Sequence, residues 1–257
     1  MTAAILDVVL ACAPSAHVVP GVAPLTTARC QSLVVPAYFY PGTEWTRAYQ
    51  ARTVPRIMIM DAAGSGAGSV PDPAYQAAVK QAQAAGITVL GYSDTDYGQR
   101  QASVVEADVR KYKAWYGVTS IFLDQAATGA GQLPYYSRLA RYIHGTNPGA
   151  AVVLNPGTYP DQRYMSVADI IVAFENTYAN YVGLRVPGWV RGYPASRFAH
   201  IVYATAAAQL SSARALGVQR HAGYIYITDR SGPQRYGALP GYWDREDAIA
   251  EGCVEKP

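Results

Sequence analysis

The sequence predicts an α/β fold, a single (β/α)8 TIM barrel, on three observations. From Leu33 onward, short β-branched apolar runs alternate with stretches of helical period. There are eight such runs, the number a closed barrel of this type requires. The runs are short and mostly apolar, as in strands buried on both faces. A chain of 257 residues suits one such barrel. Residues 1–31 read as a leader or N-terminal extension and residues 32–257 as the barrel.

The first strand is expected at 33–40, with Pro36 inside it; its missing N–H implies a bulge or kink. The second, 56–61, ends in Asp61 and leads into Gly64-Ser65-Gly66-Ala67-Gly68. Those glycines fit neither GxGxxG nor the Walker pattern, so the segment reads as a flexible rim loop and not a nucleotide site. Pro71-Asp72-Pro73 then delays a helix at 74–85. The third strand, 88–94, precedes a helix at 101–115, and the fourth, 120–124, precedes one at 133–144. The fifth and sixth strands fall at 151–155 and 169–175. Residues 177–197 are rich in Tyr, Pro and Gly and predict a weak helix or a lid-like loop. The seventh strand, 199–205, leads to a helix at 207–216, and the eighth is 224–229. Gly86, Gly117, Gly145 and Gly217 stand where those helices should stop.

Composition narrows the function. A net charge of +3 and the absence of any basic run give no argument for nucleic acid or an anionic membrane. No apolar run reaches the length of a membrane span. Residues 1–16 are apolar and end in small residues, like a signal-peptide core, although a basic start is missing and Asp7 interrupts the run. A secreted or cell-envelope location follows as an expectation. Cys12, Cys30 and Cys253 lack metal-ligand spacing. Because barrel closure brings the chain ends together, a Cys30–Cys253 disulfide is expected. His17, His144, His200 and His221 are scattered, without HxH or HExxH spacing, so no metal or organic cofactor is expected. Tyrosine is abundant, with 21 copies against four each of Phe and Trp. Its flat apolar face and hydroxyl suit either helix–strand packing or a sugar ring.

Barrel active sites lie at the C-terminal strand ends. The polar residues there are Tyr40, Asp61, Asp94, Asp124, Asn155, Glu175, Thr205 and Asp229. Asp124 and Glu175 each close an apolar run, where a desolvated carboxylate serves chemistry or a specific ion pair. They end the fourth and sixth strands, whose shared parity allows them to face each other. Paired carboxylates are the apparatus of glycoside hydrolysis. Tyr92 and Tyr97 flank the acids after the third strand, Tyr178 follows Glu175, and Tyr203 stands near the seventh strand end.

Several of these segments resemble the spherulin-4 family (spherulation-specific family 4), which includes glycoside hydrolase family 135. The matching stretches are Val35-Pro-Ala-Tyr-Phe-Tyr-Pro41, Val89-Leu-Gly-Tyr-Ser-Asp-Thr-Asp-Tyr-Gly98 and Trp115-Tyr-Gly-Val-Thr-Ser-Ile-Phe-Leu-Asp124. Leu154-Asn-Pro-Gly-Thr158 and Ala168-Asp-Ile-Ile-Val-Ala-Phe-Glu175 follow. The resemblance implies a (β/α)8 barrel that cleaves N-acetylgalactosamine-containing microbial exopolysaccharide internally, with Asp124 and Glu175 at the family's acidic positions. One departure stands out: the family typically has Asp-Glu closing the fourth strand, and this chain has Asp124-Gln125.

The resulting expectation is an endo-acting glycoside hydrolase on a polysaccharide substrate. Asp124 is the expected nucleophile, by analogy with other α-acting barrels, and Glu175 the acid/base, its pKa raised by burial and by negative Asp124. The reverse assignment of roles stays open. Tyr40, Asp61, Tyr92, Asp94, Tyr97, Gln125, Asn155, Tyr178, Tyr203 and Asp229 are the expected substrate contacts. The alternative is a non-catalytic carbohydrate-binding barrel, for which Gln125 is the main argument.

Overall fold

The structure is a computed structural model that describes residues 31–51, 53 and 55–245. Cys12, Cys30 and Cys253 lie outside the described residues, as do residues 1–16. Eight parallel strands close into one barrel in sequence order: β1 Ser32–Ala37, β2 Ile57–Met60, β3 Thr88–Asp94, β4 Ser120–Asp124, β5 Val152–Leu154, β6 Ile170–Thr177, β7 Phe198–Tyr203 and β8 Tyr224–Ile227. Pairing of Ser32 with Tyr224 and Leu33 with Ile225 closes the ring. The strands are buried almost throughout, as the unbroken apolar runs require.

The helices of the first half are regular: α1 Thr43–Tyr49, α2 Pro73–Ala84, α3 Ala102–Tyr116 and α4 Leu133–Thr146. Asp72 caps α2 by accepting the Ala74 N–H at 2.8 Å, and Pro73 fills the first turn, where no N–H is needed. Gly117 ends α3 in the left-handed conformation. Along α4, Tyr136, Leu139, Ala140 and Ile143 make the buried stripe at spacings of three and four.

The second half is less regular. A 3-10 turn, Gln162–Ser166, stands in the crossover after β5. After β6 comes a five-residue helix, α5 Tyr178–Val182, and then 3-10 turns at Gly188–Gly192 and Ala195–Arg197. Buried Arg197 knits this region by donating to the carbonyls of Met165, Ala168 and Asp169. Helix α6, Leu210–Gln219, then packs against β8. Among the described residues no helix is long and apolar enough to cross a membrane.

Three local expectations are corrected. β1 stops at Ala37, short of Tyr40. Pro36 also needs no bulge: it pairs with Ile59 in unbroken register, and β8 pairs with β1 at Ser32 and Leu33. Pro36 therefore sits where β1 has a single paired neighbour, a place that tolerates a missing donor. Gly145 and Gly217 lie inside α4 and α6 and do not end them. At 217 the reason is space, because a Cβ would overlap the Gln31 amide and meet Ile225 at 2.8 Å.

The glycine-rich segment after β2 is held at several points. Asp61 accepts the N–H groups of Gly64 and Ala63, at 2.7 and 3.2 Å. Arg100 donates to the Ser65 carbonyl at 2.6 Å and pairs at 3.0 Å with Asp108, which accepts the Ala67 N–H.

Candidate active site

Strand register decides which side chains enter the barrel mouth. Asp124, the last residue of β4, lies beside Asp94 of β3, and two positions earlier Tyr92 and Phe122 stack at 6.1 Å. Glu175 reaches the mouth differently. Ala199 and Ile201 are two apart on β7 and share a face, yet their partners Val172 and Glu175 are three apart on β6. Ala173 is the extra residue of a β-bulge. It turns Phe174 outward onto Tyr181, at 4.7 Å between ring centroids, and Glu175 inward. A regular strand continuing from Val172 would have pointed Glu175 the other way.

The two carboxylates share one donor. Asn155, buried just past the end of β5, presents its Nδ2 to Asp124 Oδ1 at 2.7 Å and to Glu175 Oε2 at 2.6 Å. The Asn155 Oδ1 accepts the Gly157 N–H at 3.0 Å, which fixes the amide's orientation. Since the two hydrogens of one amide diverge by about 120°, the two carboxylate oxygens stand roughly 4.5 Å apart.

Each acid has a tyrosine of its own. Tyr92 donates to Asp124 Oδ2 at 2.8 Å, and Tyr236 donates to Glu175 Oε1 at 2.9 Å. Tyr38 spans the gap, edge-on to Tyr92 at 5.4 Å and to Tyr236 at 5.6 Å. Burial first, then the charges of Asp124 and Glu175, push the Tyr38 phenol far above its ordinary range. The phenols of Tyr92 and Tyr236 are pushed up by the same two causes, burial ahead of the adjacent acid. All three stay protonated. Burial, followed by the charge of Glu175, raises the Asp124 carboxyl to about 6, against donors that pull it down.

The rim around the pair is conformationally tight. Five non-glycine residues among those described have positive φ, and Asp96, Tyr97, Gln125 and Ala204 follow the C-terminal ends of β3, β4 and β7. Gln125, at φ 47°, turns the chain directly after Asp124, leaving its side chain exposed. Its carbonyl accepts from Tyr97 N–H at 2.8 Å and from the Thr95 hydroxyl at 3.0 Å. Non-glycine residues held in this region store strain, which concentrates at functional mouths.

Of the residues expected from sequence, the structure brings Asp124, Glu175, Asn155 and Tyr92 together. Asp94 lies alongside and accepts the Asp96 N–H. Tyr97 is 57% exposed on the rim. Asp61 caps its own loop, its carboxyl raised by burial against the two N–H donors, and Asp229 accepts the Gly241 N–H. Tyr40 stands outside the pair, exposed and donating to Asp72 at 3.0 Å. Tyr178 begins α5, and Tyr203 donates to Asn176 at 3.3 Å. Tyr38, Arg235 and Tyr236 were not legible as site residues. The apolar-aromatic run of β1 hid where the strand ends, and residues 230–243 carry no periodicity.

A family model, spherulation-specific family 4, matches residues 32–249. The chain belongs to that family. Spherulin-4 of Physarum polycephalum is 32% identical over 234 residues, covering 86% of this chain and 70% of the relative. Among solved structures, Aspergillus clavatus Sph3 in complex with GalNAc matches at TM-score 0.75 and 24% identity, over 88% of this chain and 99% of that one. The GH18 chitinase ChiB of Flavobacterium johnsoniae matches at TM-score 0.51 and 10% identity, over 86% and 95%. Both structural likenesses show the shared barrel.

Proposed function

We propose that this chain is an endo-acting glycoside hydrolase that cleaves an N-acetylgalactosamine-containing microbial exopolysaccharide with Asp124 and Glu175. The single observation that carries the reading is the Asn155 amide bound to both carboxylates. It supports a pair close enough to work on one glycosidic bond, nearer the spacing of retaining enzymes, about 5–5.5 Å, than the about 6.5–9.5 Å of inverting ones.

In this reading one acid protonates the leaving oxygen while the other, ionised, attacks or stabilises the anomeric carbon. A carboxyl raised to about 6 beside a second acid lets the pair hold one proton in mildly acidic solution. The proton belongs to the pair until substrate enters. Asn155 keeps the two oxygens at a fixed spacing, and the three tyrosines offer ring faces and hydroxyls to a sugar. Gln125, exposed at the rim, is proposed to contact the polymer beyond the cleaved bond. The ligand in the Sph3 structure, GalNAc, supports the choice of sugar. A polymer of this kind accords with a secreted or cell-envelope enzyme.

The test is product analysis. Incubation with an N-acetylgalactosamine-containing exopolysaccharide should yield oligosaccharides of mixed length, with new reducing ends accumulating before any monosaccharide. Tight binding with no new reducing ends would favour the carbohydrate-binding barrel instead.

A further inference from the structure

The segment after β8 brings a second side chain to Glu175 beside Tyr236. Arg235 lies with its guanidinium carbon 4.7 Å from the Tyr203 ring centroid and 5.2 Å from that of Tyr236. Its Nη1 donates to the Gly232 carbonyl at 2.9 Å, and its Nη2 stands 3.9 Å from Glu175 Oε1. That oxygen is also the one that accepts from Tyr236. Two aromatic faces and one carbonyl thus hold a permanent cation at the edge of the carboxylate pair, with about a third of its side chain open to solvent.

Among the described residues, the charged and titratable groups facing Glu175 are few. Asp124 comes from β4, Tyr38 from the segment after β1, and Arg235 and Tyr236 from the segment after β8. Tyr203 of β7 lies behind the guanidinium, and Asn155 contributes a neutral donor. Arg235 is the only fixed positive charge in this set, against two carboxylates.

We infer that Arg235 is a positioning residue that sets the protonation balance of the Asp124–Glu175 pair, acting through Glu175 and held in place by Tyr203 and Tyr236. A cation at this distance favours the more negative form of the pair and so lowers the pH at which the pair takes up its proton. The coupling passes to Asp124, whose own titration responds to the charge on Glu175. The inference rests on the reading of these two acids as a working pair. It differs from an anchoring role for Arg235, in which loss of the Gly232 contact would loosen the segment without altering how the acids titrate. It also differs from a substrate-binding role, which would raise KM alone.

The experiment follows the carboxyl carbons of Asp124 and Glu175 by NMR against pH in the full chain, for wild type, R235Q and R235K. In parallel it records kcat/KM against pH on the polymer. R235Q is expected to move the lower titration step of the pair up by about half a pH unit or more, a figure reduced from the full Coulomb effect for solvent screening. The acidic limb of the rate profile should move with it, and R235K should restore at least half of the shift. An unchanged titration in R235Q, or a shift that R235K leaves in place, would overturn the inference. Because the titration needs no substrate, a shifted titration in a protein that cleaves no polymer would retire the hydrolase reading and leave this one standing.

Discussion

Asp124 and Glu175 meet at one amide but are delivered by unlike halves of the barrel. Asp124 ends a regular strand, in register with its neighbours on both sides and backed by the full-length helices α3 and α4. Its carbonyl accepts from the Thr95 N–H and hydroxyl, and the Asn155 carbonyl accepts the Ala126 N–H. The acid is placed by ordinary secondary structure, through the ends of the two adjoining strands. Glu175 depends on exceptions: a bulge at Ala173, a backbone bond to the Gly157 carbonyl, and a tyrosine 61 positions further along the chain. Where the barrel is regular, adjoining strands in register set one acid; where it is irregular, the second acid needs a bulge and a tyrosine from beyond β8.

The largest expected effect tests whether the two placements serve the same chemistry. D124N and E175Q should each keep the fold and lower kcat by at least about 10²-fold, the lower end for a positioned acid or base. Circular dichroism with initial rates checks it. Unequal losses, one large and one negligible, would show that only one half of the barrel does chemistry.

N155A should cost about tenfold or more in kcat, because it removes the donor that sets the spacing of the two acids. It should also raise the Asp124 carboxyl further, since the Asn155 hydrogen bond pulls that pKa down. The alkaline limb of the rate profile, set by loss of the pair's single proton, would then move to higher pH. A profile that stays in place would mean the amide is only packing.

Stability against pH sharpens the comparison without substrate. The Asp124 carboxyl is raised in the fold from 3.8 to about 6. Stability from this group is therefore complete below about pH 4 and lost as pH rises through about 6, up to roughly 3 kcal/mol. Urea midpoints of the wild type should fall across that window, and those of D124N should fall less. Half-buried Asp61, also raised, keeps part of the slope in both proteins. Equal slopes would place the cost of burial elsewhere.

The smallest expected effect is at Gln125. Its left-handed backbone turns the side chain away from Asp124 into solvent, so Q125E should change activity only a few-fold. Strong hydrolysis gained from an inert parent would show instead that the missing proton donor belongs at this position.

How much was legible follows the same division. All eight strands were readable, and β3 and β4 to the residue, because buried parallel strands announce themselves as apolar runs between helices of clear period. Asp124 and Asn155 were readable as polar groups just after such runs. Glu175 was readable as an acid, but not the reason it faces inward. In an all-apolar stretch such as 170–174 nothing alternates, so the extra residue leaves no trace. Tyr38 was obscured because Tyr38-Phe39-Tyr40 extends the strand pattern past its real end at Ala37. Arg235 and Tyr236 reach the site through a segment whose course is set by tertiary contacts, such as the Leu239 N–H to Glu44 at 2.9 Å, and no local pattern encodes that.

The most direct measurement of the central claim, that Asp124 and Glu175 act as one unit, is the double variant D124N/E175Q assayed beside the two single variants on the same polymer. Groups that act together lose their effect together, so the double variant should turn over no slower than the worse single variant, within about threefold. Losses that multiply, so that two 10²-fold defects become about 10⁴-fold, would show two independent contributions and contradict the account.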